Sequence, residues 1–403
     1  MSMEAAGKPR PDQRRGPQRA LDLVYDPHWR GVIFQVLLAL ALVWFFTEIV
    51  GNAITNLKKQ NIASGFDFLG RTAGFDISQS LIDYSNTMTY ARAFWVGLLN
   101  TLLVAGLGVV LATIIGFVVG IARLSSNWLI ARLATVYVEV IRNIPPLLML
   151  FAIYFAVLKG LPQPRESLAL PLSSYLNVRG LTVPKPIWQD GAGWVVLALV
   201  AAVLASVALA WWARRRRIET GSRFRTGWVS LATIVALPLV VYFAAGQPVK
   251  FELPQLGRFN LSGGVTLLPE LVALLVGLTL YTAAFIAEIV RSGIMGVPKG
   301  QKEAAAALGL SPGQSMRLVV IPQALRIIIP PLTNQYLNLT KNSSLAVAIG
   351  YPDLVSVFSG TVLNQTNQAI EVITITMAVY LVVSLVTSFA MNVFNARMAL
   401  VER

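Results

Sequence analysis

The chain has no cysteine and a single histidine among its 403 residues. Without cysteine there can be no disulfide, no thiolate metal ligand and no thiol nucleophile. The one imidazole, His28, precedes the first apolar run, where a solvated role is expected because a metal site needs several partners. Charge is also scarce: Asp, Glu, Lys and Arg make up 13% of the chain, where a soluble domain carries about a quarter. The phosphate-cradling pattern G-x-x-x-x-G-K-[ST] is missing, so the chain has no P-loop with which to bind ATP. No nucleophile–base pair or metal constellation is visible, so neither a catalytic residue nor a metal site is expected.

What is plentiful is apolar. Hydrophobic residues make up 55% of the chain and the mean hydropathy is +0.64. Runs of ~20 apolar residues can cross the hydrocarbon core as helices. Eight qualify: 31–50, 94–122, 133–158, 193–213, 227–245, 267–291, 323–342 and 369–395. A shorter run near 343–350 stops at Tyr351-Pro352-Asp353 and reads as a segment tucked at one membrane face.

The net charge of +14 is a topology signal. With the N-terminus inside, Lys8, Arg10, Arg14, Arg15 and Arg19 fall in the cytoplasm. So do Arg123 and Arg132, Arg214 to Arg217 with Arg223 and Arg225, Lys299, Lys302, Arg397 and Arg403. The outer loops are longer, poorer in basic residues, and contain Asp67, Asp76, Asp83 and Asp190. Both termini are therefore expected in the cytoplasm, with membrane lipid as the surroundings. Nucleic acid is not an expected partner, since no binding motif accompanies the charge. The tail before "FQVLLALALVWFF" resembles a signal peptide with Ala39-Leu40-Ala41 as its cleavage site. Its length, and the apolar run continuing past that site, favour an uncleaved anchor.

The organisation expected is a basic tail (1–30), an accessory span with an outer loop (31–92), and core spans over 93–158. An inserted outer segment with two accessory spans follows (159–265), then core spans over 266–403. Five spans make the core and three are accessory.

Between two of the core spans lies "KGQKEAAAALGLSPGQSMRLVVIP" (299–322). Pro298 suits a first helical turn, where its missing N–H would have no partner. Lys299 to Leu308 is rich in strong helix formers. Gly309 can take the left-handed conformation that closes a helix. Ser311 can cap the next helix, with Pro312 at its first position. The loop at 298–322 is thus predicted to be helix, bend, helix on the cytoplasmic side, a rigid knob suited to docking in another protein.

The spacing Glu303-Ala304-Ala305, three residues, Gly309, nine residues, Val319-Val320-Ile321-Pro322 resembles the EAA loop of ABC importer permeases. "GLLNTLLVA" (97–105), "YVEVIRNIPPLLMLF" (137–151), "YTAAFIAEIVRSGI" (281–294) and "NLTKNSSLAVAIGYPDL" (338–354) resemble the core of the polar amino acid permeases. "SGFDFLGRTAGFDISQSLIDY" (64–84) resembles the larger-loop permease subunit of general L-amino-acid, or glutamate/glutamine/aspartate/asparagine, importers. The resemblance implies an all-α integral membrane fold in the bacterial inner membrane, with a five-helix permease core. It also implies alternating access, a second permease chain as heterodimer partner, two copies of an ATP-binding subunit that hold ATP and Mg, and a periplasmic amino-acid-binding protein. Glu303, Ala304, Ala305, Gly309 and Pro322 would then carry the coupling to the ATPase. An ion-coupled secondary transporter is the alternative, but it needs no docking knob.

Charges inside a membrane usually face protein or water. Glu139 and Arg142, and likewise Glu288 and Arg291, lie three apart on one helix face. Each pair reads either as a structural ion pair or as part of an inner gate, and "EVIRN" and "EIVRS" look like two copies of one device. Pro145-Pro146 and Pro330-Pro331 are each expected to interrupt a span. Asn334, Asn338 and Asn342 recur every four residues with Lys341 alongside, forming a polar stripe. Together with Arg142, Asn143 and Ser343, they are candidates for lining the substrate path, Lys341 as partner of a substrate carboxylate. Interhelical glue at the subunit interface is the other reading of the stripe, and the pairing open to Lys341 favours the path. Gly116 and Gly120 form a GxxxG pattern that permits close helix packing.

Overall fold

A computed structural model describes residues 27–59, 65–221, 224–257 and 261–398. The tail residues Lys8 to Arg19, Arg223, Arg403 and the side chains of His28 and Arg397 lie outside the described residues. Two units make up the chain: Met1–Phe66 with Thr366–Glu371, and Asp67–Gln365 with Val372–Arg403.

In the first unit, helix α1 (Pro27–Lys59) is apolar on all sides and every described side chain on it is exposed. A helix apolar all round needs lipid or protein against it, and Arg30–Asn52 is long enough to cross a membrane.

The second unit is built around one central helix. Helix α2 (Tyr90–Ala122) starts at Thr89, whose hydroxyl accepts from the Arg92 N–H at 3.4 Å. Next come α3 (Trp128–Arg142), α4 (Pro146–Gly160), α5 (Ala192–Thr220), α6 (Thr226–Ala244) and α7 (Pro269–Met295). Helix α8 (Lys299–Ala307), α9 (Ile321–Asn342) and α10 (Ala369–Met398) follow, with shorter helical turns between them. Helix α7 is the hub, packing on α2, α3, α4 and α9. In lipid, apolar contact alone does not draw helices together, so close approach has to supply the attraction. Gly116 and Gly120 provide it: a Cβ there would stand 2.5 Å from Ile286 Cγ2 and 2.7 Å from the Ala287 carbonyl. The pattern is structural, as expected. Ala112, Ile286, Val290, Ile328 and Leu339 fill the resulting core.

Among the described residues, seven helices are long and apolar enough to cross a membrane, and eight if the bent pair α3–α4 counts as one span. The stretch 133–158, expected as one span, is two helices at 109°. Pro145 explains the break, because the residue before a proline is driven out of the helical region and Pro145 itself precedes Pro146. It sits at φ −56°, ψ 135°, and α4 restarts with Pro146 at its first position. Pro330-Pro331 behaves otherwise. Contrary to expectation, α9 runs through both prolines. They face outward while Ile328, Ile329 and Leu332 are buried beside them, and that packed face holds the helix across the missing N–H donors.

The 159–265 insert adds short strands to this helical frame. β1 (Leu168–Leu170), β2 (Ser174–Asn177), β3 (Gly180–Val183) and β8 (Val265–Leu267) form one antiparallel sheet in that order. β4 (Lys185–Trp188) pairs with β5 (Val249–Glu252), and β6 (Gln255–Leu256) with β7 (Leu261–Ser262). β-Branched residues meet across the ladder: Thr182 and Thr266 share a side-chain hydrogen bond of 3.0 Å. All strands connect α4 to α5 or α6 to α7, so they stand at the helix ends opposite Gly221 and Met295.

Candidate coupling and translocation sites

The loop after α7 has the expected construction. Pro298 is the N-cap of α8. Gly309 has φ +73° with open space where a Cβ would point, and its N–H donates to the Ala306 carbonyl at 2.9 Å. Ser311 caps the next turn in a reciprocal box, its hydroxyl accepting from Gln314 N and its N–H donating to Gln314 Oε1 at 3.0 Å. Ala305 is buried, whereas Glu303, Ala304, Ala306 and Ala307 are exposed and Leu308 is 81% exposed. An apolar tip presented this way suits a protein groove better than water.

The second short helix is not a separate piece. Pro312–Ser315 passes through a wide turn, Met316–Val320, directly into α9. In that turn the Ile321 N–H reaches back five residues to the Met316 carbonyl. The extra residue per turn accommodates Pro322, which has no N–H to give the ordinary helical ladder. The second half of the loop and the polar stripe therefore lie on one helical path. A bond from Gln323 Nε2 to Gln301 Oε1 (3.2 Å) ties α8 to that path.

The charged residues meet in one cluster instead of two. Glu288 on α7 pairs with Arg291 one turn on at 2.6 Å, with Arg142 at the end of α3 at 3.8 Å, and with Arg123 just past α2. The expected Glu139–Arg142 pair does not form. Arg142 turns toward α7 and lies 5.2 Å from the Phe285 ring centre; Glu139 contributes only its backbone carbonyl, which accepts from Asn143 Nδ2 at 2.7 Å. Glu139 is exposed while the Glu288 side chain is 22% exposed, and a carboxylate shielded from water attracts guanidinium more strongly. Arg123 was legible only as a loop cation; no spacing links it to Glu288, 165 residues away.

On α9, Asn334, Asn338 and Lys341 are exposed together, Asn342 is partly covered, and Ser343 is buried with its hydroxyl donating to the Thr340 carbonyl at 2.7 Å. Ser343 is thus a local brace, off the stripe. Lys341 lines a cavity of about 670 Å³ between the end of α9 and α10, with Ser344, Thr376, Tyr380 and Ser384 among its walls. No acidic side chain is within ion-pair distance of Lys341 among the described residues. The Ser384 hydroxyl is buried without a partner in that wall.

Sequence reading missed a buried polar cluster behind this cavity. Asn100 Nδ2 donates to the Gln79 and Pro352 carbonyls at 2.9 Å each, and the Thr101 hydroxyl accepts from Leu354 N at 3.0 Å. Asp353 accepts from Ser356 N at 2.8 Å and from the Tyr380 hydroxyl at 3.3 Å. Asn100-Thr101 and Tyr351-Pro352-Asp353 were visible as motif fragments, but the 252 residues between their members hid the contact.

The family model described as binding-protein-dependent transport system inner membrane component matches residues 228–400, which include the whole loop. The chain is 59% identical to the general L-amino acid transport system permease protein AapQ of Rhizobium johnstonii, over 94% of this chain and 95% of that one. It is 51% identical to the putative amino-acid ABC transporter permease protein YhdX of Escherichia coli, over 94% and 96%. Identity to the glutamate/glutamine/aspartate/asparagine transport system permease protein BztB of Rhodobacter capsulatus is 41%, again over 94% and 96%. A solved structure of an amino acid ABC transporter aligns over 76% of this chain and 95% of that chain, with 22% identity and a TM-score of 0.46.

Proposed function

Since the chain belongs to the binding-protein-dependent ABC permeases of amino-acid transport, we propose that it is the membrane subunit of an ATP-driven importer for polar L-amino acids. It forms the translocation path with a second, related permease chain in the bacterial inner membrane. A periplasmic binding protein delivers the amino acid, and two copies of an ATP-binding subunit hold the ATP and Mg. The supporting observation is the capped loop at 298–322, whose exposed tip at Leu308 stands at the Gly309 bend, after which one helical path runs from Pro312 to Lys341.

In this reading, closure of the two ATPases moves α8, and α9 carries the movement to the stripe. Asn334 and Asn338 line the path, and the Lys341 ammonium is the intermittent partner of a substrate carboxylate, a charge that needs an anion once its water is lost. The Glu288 cluster, at the cytoplasmic end of α7, acts as part of the inner gate.

The test is uptake by proteoliposomes holding the four-subunit complex. Labelled amino acids should accumulate only with ATP inside and the loaded binding protein outside. Uptake driven by a proton or sodium gradient without nucleotide would replace this reading with the ion-coupled one.

A further inference from the structure

The accessory hairpin ends in a basic cavity that neither the coupling loop nor the stripe uses. Helices α5 and α6 pack on each other, and the chain leaves α5 through Gly221 at φ +69°. At that end stand four consecutive arginines, which separate by helix face. Arg215 lies 3.6 Å from the Trp211 ring centre and Arg216 lies 5.2 Å from that of Trp212. Arg214 and Arg217, three apart and so on one side of the helix, instead line a cavity of about 260 Å³ with Ala213, Phe224 and Thr226. Neither guanidinium has an ion pair among the described residues, although Glu219 is two positions from Arg217. Small side chains, Ala210 and Ala213, keep the space open.

We infer that this cavity binds the phosphate of an anionic phospholipid headgroup. Two guanidinium forks on one wall offer paired N–H donors in the geometry that phosphate oxygens accept. The ligand is membrane lipid because of what surrounds the cavity. Both helices are apolar enough to cross a membrane, and Trp211, Trp212 and Phe224 are exposed directly beside the arginines. Rings of this kind settle at headgroup depth. The positive-inside bias puts this end in the cytoplasmic leaflet, whose anionic surface attracts basic segments. Bound lipid would steady a hairpin whose packing is chiefly internal.

The experiment uses the whole importer complex in detergent, titrated with phosphatidylglycerol and read by native mass spectrometry for retained lipid. R214Q/R217Q should retain phosphatidylglycerol about tenfold more weakly than R215Q/R216Q, which removes the same charge but leaves the cavity wall intact. Equal losses in the two variants would reduce the effect to diffuse surface attraction and overturn the site. Undiminished retention by R214Q/R217Q, or equal retention of phosphatidylcholine, would overturn it as well. Saturation by inorganic phosphate alone would assign the cavity to a free anion, against the lipid. If R214Q/R217Q fails to assemble, R214K/R217K replaces it. Lysine keeps the charge without the fork, so retention must still fall below that of R215K/R216K.

Discussion

Glu288 is the point where three core helices exchange charge, and its partners differ in how much water reaches them. Arg123 is 10% exposed and Arg142 is 40% exposed. Removing a partner from a shielded pair leaves an uncompensated charge, whereas an exposed pair is screened. Glu288→Gln and Arg123→Gln should each destabilise the chain by about 2–3 kcal/mol, and Arg142→Gln by about 1 kcal/mol or less. Thermal unfolding of the three purified variants checks the order. At Asp353, in the turn outside the spans, burial pushes the carboxyl up to about 7, with its hydrogen bonds only partly opposing. The unfolded chain releases that proton near the ordinary aspartate value of about 3.9. The folded state therefore binds the extra proton between about pH 4 and 7, so stability falls as pH rises through that window and then levels. Melting temperature should be higher at pH 5 than at pH 7.5, and Asp353→Asn should flatten the difference; an unchanged slope would place the titration elsewhere. Lys341→Met keeps the apolar stem and removes the charge. It should impair transport and substrate-stimulated ATPase activity while leaving complex yield intact, whereas a loss of yield would make the stripe interhelical glue.

At the scale of elements, the coupling loop depends on a single backbone conformation. Nothing lies within 4 Å of where a Gly309 side chain would be, so a substitution there meets no neighbour and acts through φ alone. Holding valine in the left-handed region costs about 2 kcal/mol, enough to change the angle between α8 and the helical turn that follows it. Gly309→Val should insert and assemble but lose most transport and binding-protein-stimulated ATPase activity. Gly313→Val is the control, since Gly313 is equally open but not left-handed. If both variants transport normally, the loop does not couple through this bend. The wide turn at Met316–Val320 belongs to the same device, because it lets the loop helix and α9 remain one path despite Pro322.

At the scale of the whole molecule, the bent pair α3–α4 decides the topology. If the pair makes one net crossing, Gly221 and Asp76 lie on opposite sides, with Asp76 outside. Reporter fusions should then read outside at Asp76, inside at Gly221 and outside at Glu252. A same-side reading for Asp76 and Gly221 would make the pair a re-entrant element and reverse everything after it, the 298–322 loop included. The assignment to a partnered transport complex does not depend on that result, because it rests on the family.

Local signals made much of this legible in advance. Apolar length marked the spans, since lipid admits few backbone solutions. The punctuation of Pro298, Gly309, Ser311 and Pro312 marked the loop, because caps and left-handed turns are decided within a few residues. Tertiary structure decided what depends on the facing surface. Arg142 had Glu139 beside it in sequence and took Glu288, because a shielded carboxylate on α7 outcompetes an exposed one on its own helix. Two proline pairs of identical chemistry gave a 109° bend at Pro145 and a continuous helix at Pro330. The local cost of a proline is the same in both places; the outcome is set by the packing energy of the helix face around it, which only the assembled core supplies.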